Sequence, residues 1–176
     1  MATRTLRGAL AGAAAAAVWA AQQPLDRRVF GVAYDDTELL GRWVVPSGGS
    51  WQPAGVALHL VNGAVFGAAY ANVAPLLPVP PGLRGPLAGL AEHLASWPLT
   101  TVTDRLHPAR DDLPVLAVDP RAFAQATWRH LVFGVVLGEL ERRLNAPQDE
   151  VVPPYEHVVS SNGHGDLEQA VGATRP

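Results

Sequence analysis

The sequence contains no cysteine, and only 16% of its 176 residues are charged. The absence of cysteine excludes disulfide bonds, thiolate metal sites and cysteine nucleophiles, which leaves His, Asp, Glu and Arg for chemistry or ligand binding. Soluble domains are usually about one quarter charged, so the low charge favours a protein that lies in a lipid bilayer. A net charge of −3 without a basic stripe argues against nucleic acid as a partner.

Motifs typical of common enzyme classes are also absent. There is no serine nucleophile elbow, no phosphate-binding loop and no dinucleotide fingerprint. No His-xxx-His or Glu-xx-His pair marks a metal site on a helix. We therefore predict that the chain is not an enzyme and has no dedicated metal site. Binding of a metal or haem by its histidines is the alternative, because imidazole is a common ligand of Zn, Cu and Fe.

Four apolar segments are long enough to cross a bilayer. The hydrocarbon core is about 30 Å thick and needs about 20 mainly apolar residues of helix. The segments are residues 6–25, 52–77, 83–103 and 121–144. We predict an all-α membrane domain over residues 1–144 with these segments as its spans. Residues 145–176 contain Pro, Gly and acidic residues without hydrophobic periodicity, which predicts a disordered polar tail.

The segments repeat in pairs. Residues 6–12 (LRGALAG) recur with one change as residues 83–89 (LRGPLAG), and residues 59–67 (HLVNGAVFG) resemble residues 130–138 (HLVFGVVLG). The order is therefore hairpin followed by hairpin, which predicts a four-helix bundle that arose by duplication of a two-helix unit. Both copies of such a unit enter the membrane from the same side, so their long loops share one face.

Each segment carries one Gly-xxx-Gly pair. In lipid, small residues at this spacing let two helix backbones approach closely enough for dispersion forces to hold them together. The alternative is that a Gly- and Ala-rich chain produces such pairs by chance. The predicted helix-packing residues are Gly8, Gly12, Gly63, Gly67, Gly85, Gly89, Gly134 and Gly138.

Polar residues inside the predicted spans are the candidates for function. Charged groups at bilayer depth cost about 2.5 to 3.5 kcal/mol each on insertion scales, so they usually face the interior of a bundle and have partners. A rise of about 1.5 Å per residue brings Glu92 and Arg129 to similar depth in antiparallel helices, which predicts an ion pair between them. The predicted intramembrane polar cluster consists of His59, Asn62, Glu92, His93, Arg129 and His130.

This cluster has two main interpretations. Its side chains can be hydrogen-bond partners that only hold the helices together. They can also form a path for protons or a small solute, since imidazole titrates near neutral pH. The loop face carries Asp26-Arg27 with Asp35-Asp36, and again Asp104-Arg105 with Asp111-Asp112. These groups are interpreted as solvated turns and helix caps, with binding of a cation or a partner as the alternative.

The first segment also has two interpretations. Arg4 and Arg7 before an Ala-rich run are typical of a secretory signal peptide, whereas the match with residues 83–97 favours a retained helix. Arginines are equally numerous on the two predicted faces, so the positive-inside rule does not give the orientation. We expect cytoplasmic termini, because a short Arg-containing N-terminus and a polar tail then need not cross the membrane.

From His59 to Arg143 the chain resembles the YagU-like family, bacterial inner-membrane proteins of unknown biochemical activity that are associated with acid resistance. The residues that carry the resemblance are His59, Gly67, Tyr70, Pro75, Gly85, Gly89, His93, Pro98, Asp112-Leu113-Pro114, His130, Glu139 and Arg142-Arg143. The resemblance implies a helix bundle in the bacterial inner membrane and a function connected with protons or envelope stress. It implies no catalytic residues, and the Ala-rich first helix and the short first loop depart from the family pattern.

These patterns together predict a small multi-pass protein of the inner membrane with a proton-linked or small-solute function related to envelope or acid stress. One alternative is a structural or assembly scaffold of the membrane without transport. Another is a soluble four-helix bundle whose apolar segments form an ordinary core. The expected partners are the lipid bilayer and further copies of the chain, and the sequence indicates no particular protein partner.

Overall fold

A computed structural model describes residues 2–146, and this part of the chain consists of helices without a strand. The helices are α1 (Ala2–Phe30), α2 (Asp36–Val44), α3 (Gln52–Val73), α4 (Pro81–Ser96), α5 (Thr100–Leu106) and α6 (Pro120–Leu144). Short 3-10 turns follow α3 at Ala74–Leu76 and α4 at Trp97–Leu99. The prediction of an all-α protein is thus confirmed for residues 2–146. The predicted disordered tail falls almost wholly on residues 147–176, outside the described residues.

The ends of the helices follow from local chemistry. The long α1 is rich in alanine, the best helix former, and ends before Gly31, whose φ of 69° is a left-handed conformation that favours glycine. Asp35 caps α2 by accepting hydrogen bonds from two backbone amides of its first turn, at 2.9 and 3.1 Å. Asp119 caps α6 in the same way at 2.8 Å, and Pro120 occupies the first helical position.

The third predicted span differs from the structure. Residues 83–103 were expected to form one helix, but α4 ends at Ser96, and a 3-10 turn at Trp97–Leu99 leads into the short helix α5. Pro98 lies in this turn, where its missing amide hydrogen leaves one helical hydrogen bond unmade, although Pro24 and Pro86 are accommodated inside α1 and α4. The 16 residues of α4 have a length of about 24 Å, which is shorter than the hydrocarbon core.

Glycines mediate the contacts between the long helices. α1 packs against α3, α4 packs against α6, and contact between α1 and α6 joins the two pairs. A Cβ atom on Gly12 would lie 2.9 Å from the carbonyl carbon of Gly63 and 2.9 Å from the Cα of Gly67, so the backbones touch with no space for a methyl group. All eight predicted packing glycines lie in these two interfaces. Gly41 and Gly55 make a further close contact, between α2 and α3, that was not predicted.

Most large aliphatic side chains of α3 point outward. On α3 the buried positions are Gly55, His59, Gly63, Gly67, Tyr70 and Ala71. The exposed positions of the same helix include Val56, Leu58, Val61, Val65 and Val73. This arrangement is the reverse of a water-soluble bundle, in which aliphatic side chains fill the core. Within residues 2–146, one helical stretch, Gln52–Leu76, is both long and apolar enough to cross a bilayer.

The glycine contacts predict a specific response to added methyl groups. Gly12→Ala should lower the stability of the protein by about 1–3 kcal/mol, because its Cβ collides with the backbone of α3. Gly82→Ala is the matched control, since nothing lies within 4 Å of the added Cβ at this position in α4. Thermal unfolding of the purified variants, followed by circular dichroism, measures the difference. Equal melting temperatures for the two variants would contradict the close packing of α1 and α3.

Candidate functional site

A buried arginine with two aspartate partners links three parts of the fold. Arg129 of α6 is fully buried, and its Nε and Nη2 atoms each donate to Asp26 of α1 at 2.6 Å. Its Nη1 atom donates to Asp36, the first residue of α2, at 2.7 Å. Nη2 also donates to the backbone carbonyl of Tyr34 at 3.0 Å. The guanidinium group therefore holds α1, α2 and α6 together at one point.

The two carboxylates have further donors. Asp26 accepts hydrogen bonds from Gln22 and Gln125, both at 2.7 Å. Asp36 accepts from the indole nitrogen of Trp19 at 2.8 Å and from the hydroxyl of Tyr34. Every one of these groups donates a hydrogen, so both aspartates act as ionised acceptors. We refer to Asp26, Asp36 and Arg129 as the ion-pair network.

Burial and charge act on the titratable groups at the edge of this network. Burial alone would raise the pKa of Asp36, but the positive charge of Arg129 and the hydrogen bond from Tyr34 outweigh it and hold the pKa below its ordinary value. Burial, together with the negative charge of Asp36, raises the pKa of Tyr34 well above its ordinary value. Asp36 is therefore an anion and Tyr34 a neutral hydrogen-bond donor at neutral pH.

A cavity of about 400 Å³ adjoins the ion-pair network. Side chains from α1, α2, α3, α4 and α6 form its walls, and Trp19, Tyr34 and Asp36 belong both to these walls and to the surroundings of Arg129. The remaining lining residues are Leu39, Leu40, His59, Asn62, Val65, Phe66, Ala69, Glu92, Ser96, His130 and Phe133. The volume lies within the range of small-molecule sites, about 300–1,000 Å³.

Glu92 and His130 form a short contact in the wall of the cavity. An oxygen of Glu92 lies 2.6 Å from Nε2 of His130, whose Nδ1 lies 2.7 Å from the carbonyl oxygen of Ala126. A carbonyl oxygen can only accept, so the contact with Ala126 places a hydrogen on Nδ1 of His130. A carboxyl group and an imidazole thus lie side by side in the wall of the cavity.

His59 and His93 are the other histidines of the predicted cluster. His59 lies in the wall of the cavity, and His93 lies behind His130. Nε2 of His59 is 3.2 Å from the carbonyl oxygen of Ala16, which holds the ring against Trp19 at a centroid distance of 5.4 Å. His93 is almost fully buried, and its ring lies 4.8 Å from that of His130. Its Nε2 contacts the hydroxyl of Thr127 at 2.9 Å, and its Nδ1 has no hydrogen-bond partner within residues 2–146.

The structure brings together four of the six predicted cluster residues at the cavity, namely His59, Asn62, Glu92 and His130. His93 lies directly behind His130. The predicted ion pair between Glu92 and Arg129 is wrong. Glu92 contacts His130, and Arg129 contacts Asp26 and Asp36, since α1 continues to Phe30 and brings Asp26 beside α6.

Sequence reasoning missed the aspartates of the ion-pair network. Asp26 and Asp36 were interpreted with the loop face, as solvated turns and caps. The signal that could have identified them is Arg129 itself, which lies in the first half of α6 and therefore close to the face that carries the loops. An arginine at that depth needs a carboxylate partner. Along the axis of α6, the aspartates of the loop face are as close to Arg129 as Glu92 is.

Comparison of the chain with protein-family models, with curated proteins and with solved structures gives no match. The resemblance to the YagU-like family therefore stays a prediction. Within residues 2–146 no three His, Asp or Glu side chains are grouped as ligands of a metal ion would be.

Loss of the buried guanidinium should be costly. Arg129→Met leaves two carboxylates without their cation, and we expect a loss of stability of about 3–5 kcal/mol. Arg143→Met is the matched control, because the side chain of Arg143 is exposed and pairs with Glu139 at the surface, where little stability should be lost. Thermal unfolding of both variants tests this.

A second substitution separates charge from packing. Asp26→Asn added to Arg129→Met removes one uncompensated charge and should restore part of the lost melting temperature. A double variant that is no more stable than Arg129→Met alone would show that shape, and not charge, makes Arg129 essential.

Proposed function

We propose that this chain is a multi-pass membrane protein whose polar cavity conducts protons or binds a small solute that moves with them. The observation that carries the proposal is the distribution of side chains over the bundle. Glycines, histidines, the ion-pair network and two small apolar clusters lie inside, whereas aliphatic side chains such as Val61, Leu87 and Val135 lie outside. In lipid such an apolar exterior is favourable, and close glycine contacts hold the helix backbones together.

The position of the arginines supports the same proposal. Arg4, Arg7, Arg142 and Arg143 lie at one end of the bundle, near the start of α1 and the end of α6. Arg27, Arg28, Arg42 and Arg121 lie at the opposite end. Between these ends many outward positions are apolar, as at Leu10, Val61, Leu87 and Val135. An apolar belt between two charged ends fits a bilayer with headgroups on both sides.

The two hairpins support an origin by duplication. α1 with α3, and α4 with α6, are each joined through their own two Gly-xxx-Gly pairs. His59 and His130, which occupy matching places in the repeated sequences, both line the cavity. We infer that the second hairpin is a copy of the first.

A labelling experiment tests the membrane assignment. Because the natural chain has no cysteine, single cysteines can be introduced without background. Val61→Cys and Val135→Cys lie on the aliphatic exterior, and Ser47→Cys lies between α2 and α3. In membranes that resist alkaline carbonate extraction, a water-soluble maleimide should modify Ser47→Cys and spare the other two. Release of the chain by carbonate, or rapid labelling at all three positions, would favour a soluble bundle.

A flux assay tests the proton-linked function. Purified protein in liposomes that contain a pH-sensitive dye should admit protons when a potassium gradient with valinomycin sets the membrane potential. Glu92→Gln replaces the carboxyl group that lies 2.6 Å from His130 in the wall of the cavity and should reduce the flux at least about tenfold, because a positioned acid–base group speeds proton transfer. Glu139→Gln, which alters a surface carboxylate of α6, is the control and should conduct normally. Flux no greater than that of empty liposomes would favour the scaffold without transport.

A further inference from the structure

A narrow apolar cleft lies between the end of α1 and the first half of α6. Its volume is about 170 Å³, and its apolar walls come from Leu25, Val29, Phe30 and Trp128. None of these residues lines the polar cavity. Leu25, Val29 and Trp128 are 64%, 70% and 48% exposed, so the cleft is open on the outer surface of the bundle. We refer to it as the α1–α6 cleft.

The polar groups in the α1–α6 cleft already have partners. Gln22 and Asp26 complete its lining. The indole nitrogen of Trp128 donates to the side-chain oxygen of Gln22 at 3.1 Å, and the amide of Gln22 donates to Asp26 at 2.7 Å. The carboxylate of Asp26 is in turn paired with Arg129. A ligand in the cleft therefore meets apolar surface and needs apolar groups of its own.

Arginines without partners lie at the outer end of this cleft. Arg27, Arg28 and Gly31 line a shallow hollow that follows the cleft along α1. A Cβ atom on Gly31 would lie 4.0 Å from Nη1 of Arg121, so the side chain of Arg121 reaches the same place from α6. Arg27 pairs with Asp35 at 3.3 Å. The exposed side chains of Arg28 and Arg121 have no ion pair or hydrogen bond among the described residues.

The cleft and the arginines follow one another along the axis of the bundle. α1 and α6 run antiparallel, because Asp26 contacts Arg129 while Gly31, further along α1, lies beside Arg121. Arg121 and Trp128 are seven residues apart on one face of α6, which is about 10 Å along its axis. The positive charge thus lies at the end of the bundle, and the apolar cleft extends from it towards the middle. A phospholipid has the same order of charged headgroup and apolar chain.

We propose that the α1–α6 cleft binds one anionic phospholipid, with its phosphate between Arg28 and Arg121 and an acyl chain against Leu25, Val29 and Trp128. The planar guanidinium group suits a phosphate, to which it can donate two parallel hydrogen bonds. Neither arginine has to give up an ion pair in order to bind it. The inference rests on the membrane assignment in the proposed function, and it does not depend on proton flux.

Quenching of tryptophan fluorescence by brominated lipids tests the proposal. The full chain in detergent micelles is titrated with dibrominated phosphatidylglycerol, which is anionic, or with dibrominated phosphatidylcholine, which has no net charge. Bromine on a chain in the cleft quenches Trp128. Phosphatidylglycerol should reach half of its saturable quenching at a mole fraction at least about tenfold lower, since each arginine near a membrane surface contributes about fivefold. Equal quenching by the two lipids would overturn the proposal.

Free phosphate is the other ligand that the two arginines would suit. Sodium phosphate should displace the brominated lipid no better than sodium chloride of equal ionic strength, because the acyl chain supplies part of the binding. Displacement specific to phosphate would assign the arginines to a soluble anion and overturn the role of the cleft.

Three variants locate the bound lipid. Arg28→Gln combined with Arg121→Gln should abolish the preference for phosphatidylglycerol. Arg105→Gln is the matched control and should keep it, since Arg105 is an exposed arginine of α5 that also lacks an ion pair among the described residues. Trp128→Phe should lose the quenching that saturates at low mole fraction. A preference that survives in the double variant, or saturable quenching that survives in Trp128→Phe, would contradict the assigned site.

The outcome is separable from that of the proposed function. A chain that resists carbonate extraction and conducts protons, but does not distinguish the two lipids, overturns this inference alone. A chain that prefers phosphatidylglycerol at this cleft without conducting protons overturns the proposed transport alone.

Discussion

The position of α1, α2 and α6 depends on one buried guanidinium group. Arg129 is fully buried and makes its hydrogen bonds to Asp26, Asp36 and the Tyr34 carbonyl at 2.6 to 3.0 Å. A buried charge of this kind is stable only when its partners are present and well aligned, so the helices that carry the partners are fixed in register. Trp19 and Tyr34, which are held against Asp36, in turn form one end of the cavity. The shape of the cavity is thus a consequence of the ion-pair network.

Glycine contacts align the long helices with each other, which the ion-pair network alone does not do. The network fixes one level of the bundle, whereas the Gly-xxx-Gly pairs align α1 with α3 and α4 with α6 over about one turn each. Close backbone contact needs no large side chains in the interface, so the aliphatic residues are free to face outward. The space enclosed by α3, α4 and the helices behind them is then lined by polar and aromatic groups. The polar groups inside and the aliphatic groups outside both follow from this close packing through glycine.

The sequence predicted the positions of the helices better than the contacts between their side chains. Charge-free segments and repeated glycine pairs depend on local composition and spacing, and they identified the long helices and the interface positions. The end of α4 at Ser96 was missed because Pro98 was counted within an apolar run, and a proline alone did not mark the break, since Pro24 and Pro86 lie inside α1 and α4. The Glu92 and Arg129 pair failed for another reason. The depth of a residue along its helix axis does not say which neighbouring helix its side chain faces. In α6, Arg129 faces α1, whereas the next residue, His130, faces α4.

The ion-pair network and the Glu92 and His130 pair differ in how completely they are satisfied, and this difference assigns their roles. Each aspartate of the network receives hydrogen bonds from the guanidinium and from at least two further donors, so a change in its protonation would break several contacts at once. Glu92 has a single short contact and an oxygen that faces the cavity. A change at Glu92 disturbs that one contact and leaves the contacts of Arg129 in place. The proposed proton-linked function needs this separation, because a group that also held the fold together would unfold the bundle whenever its protonation changed.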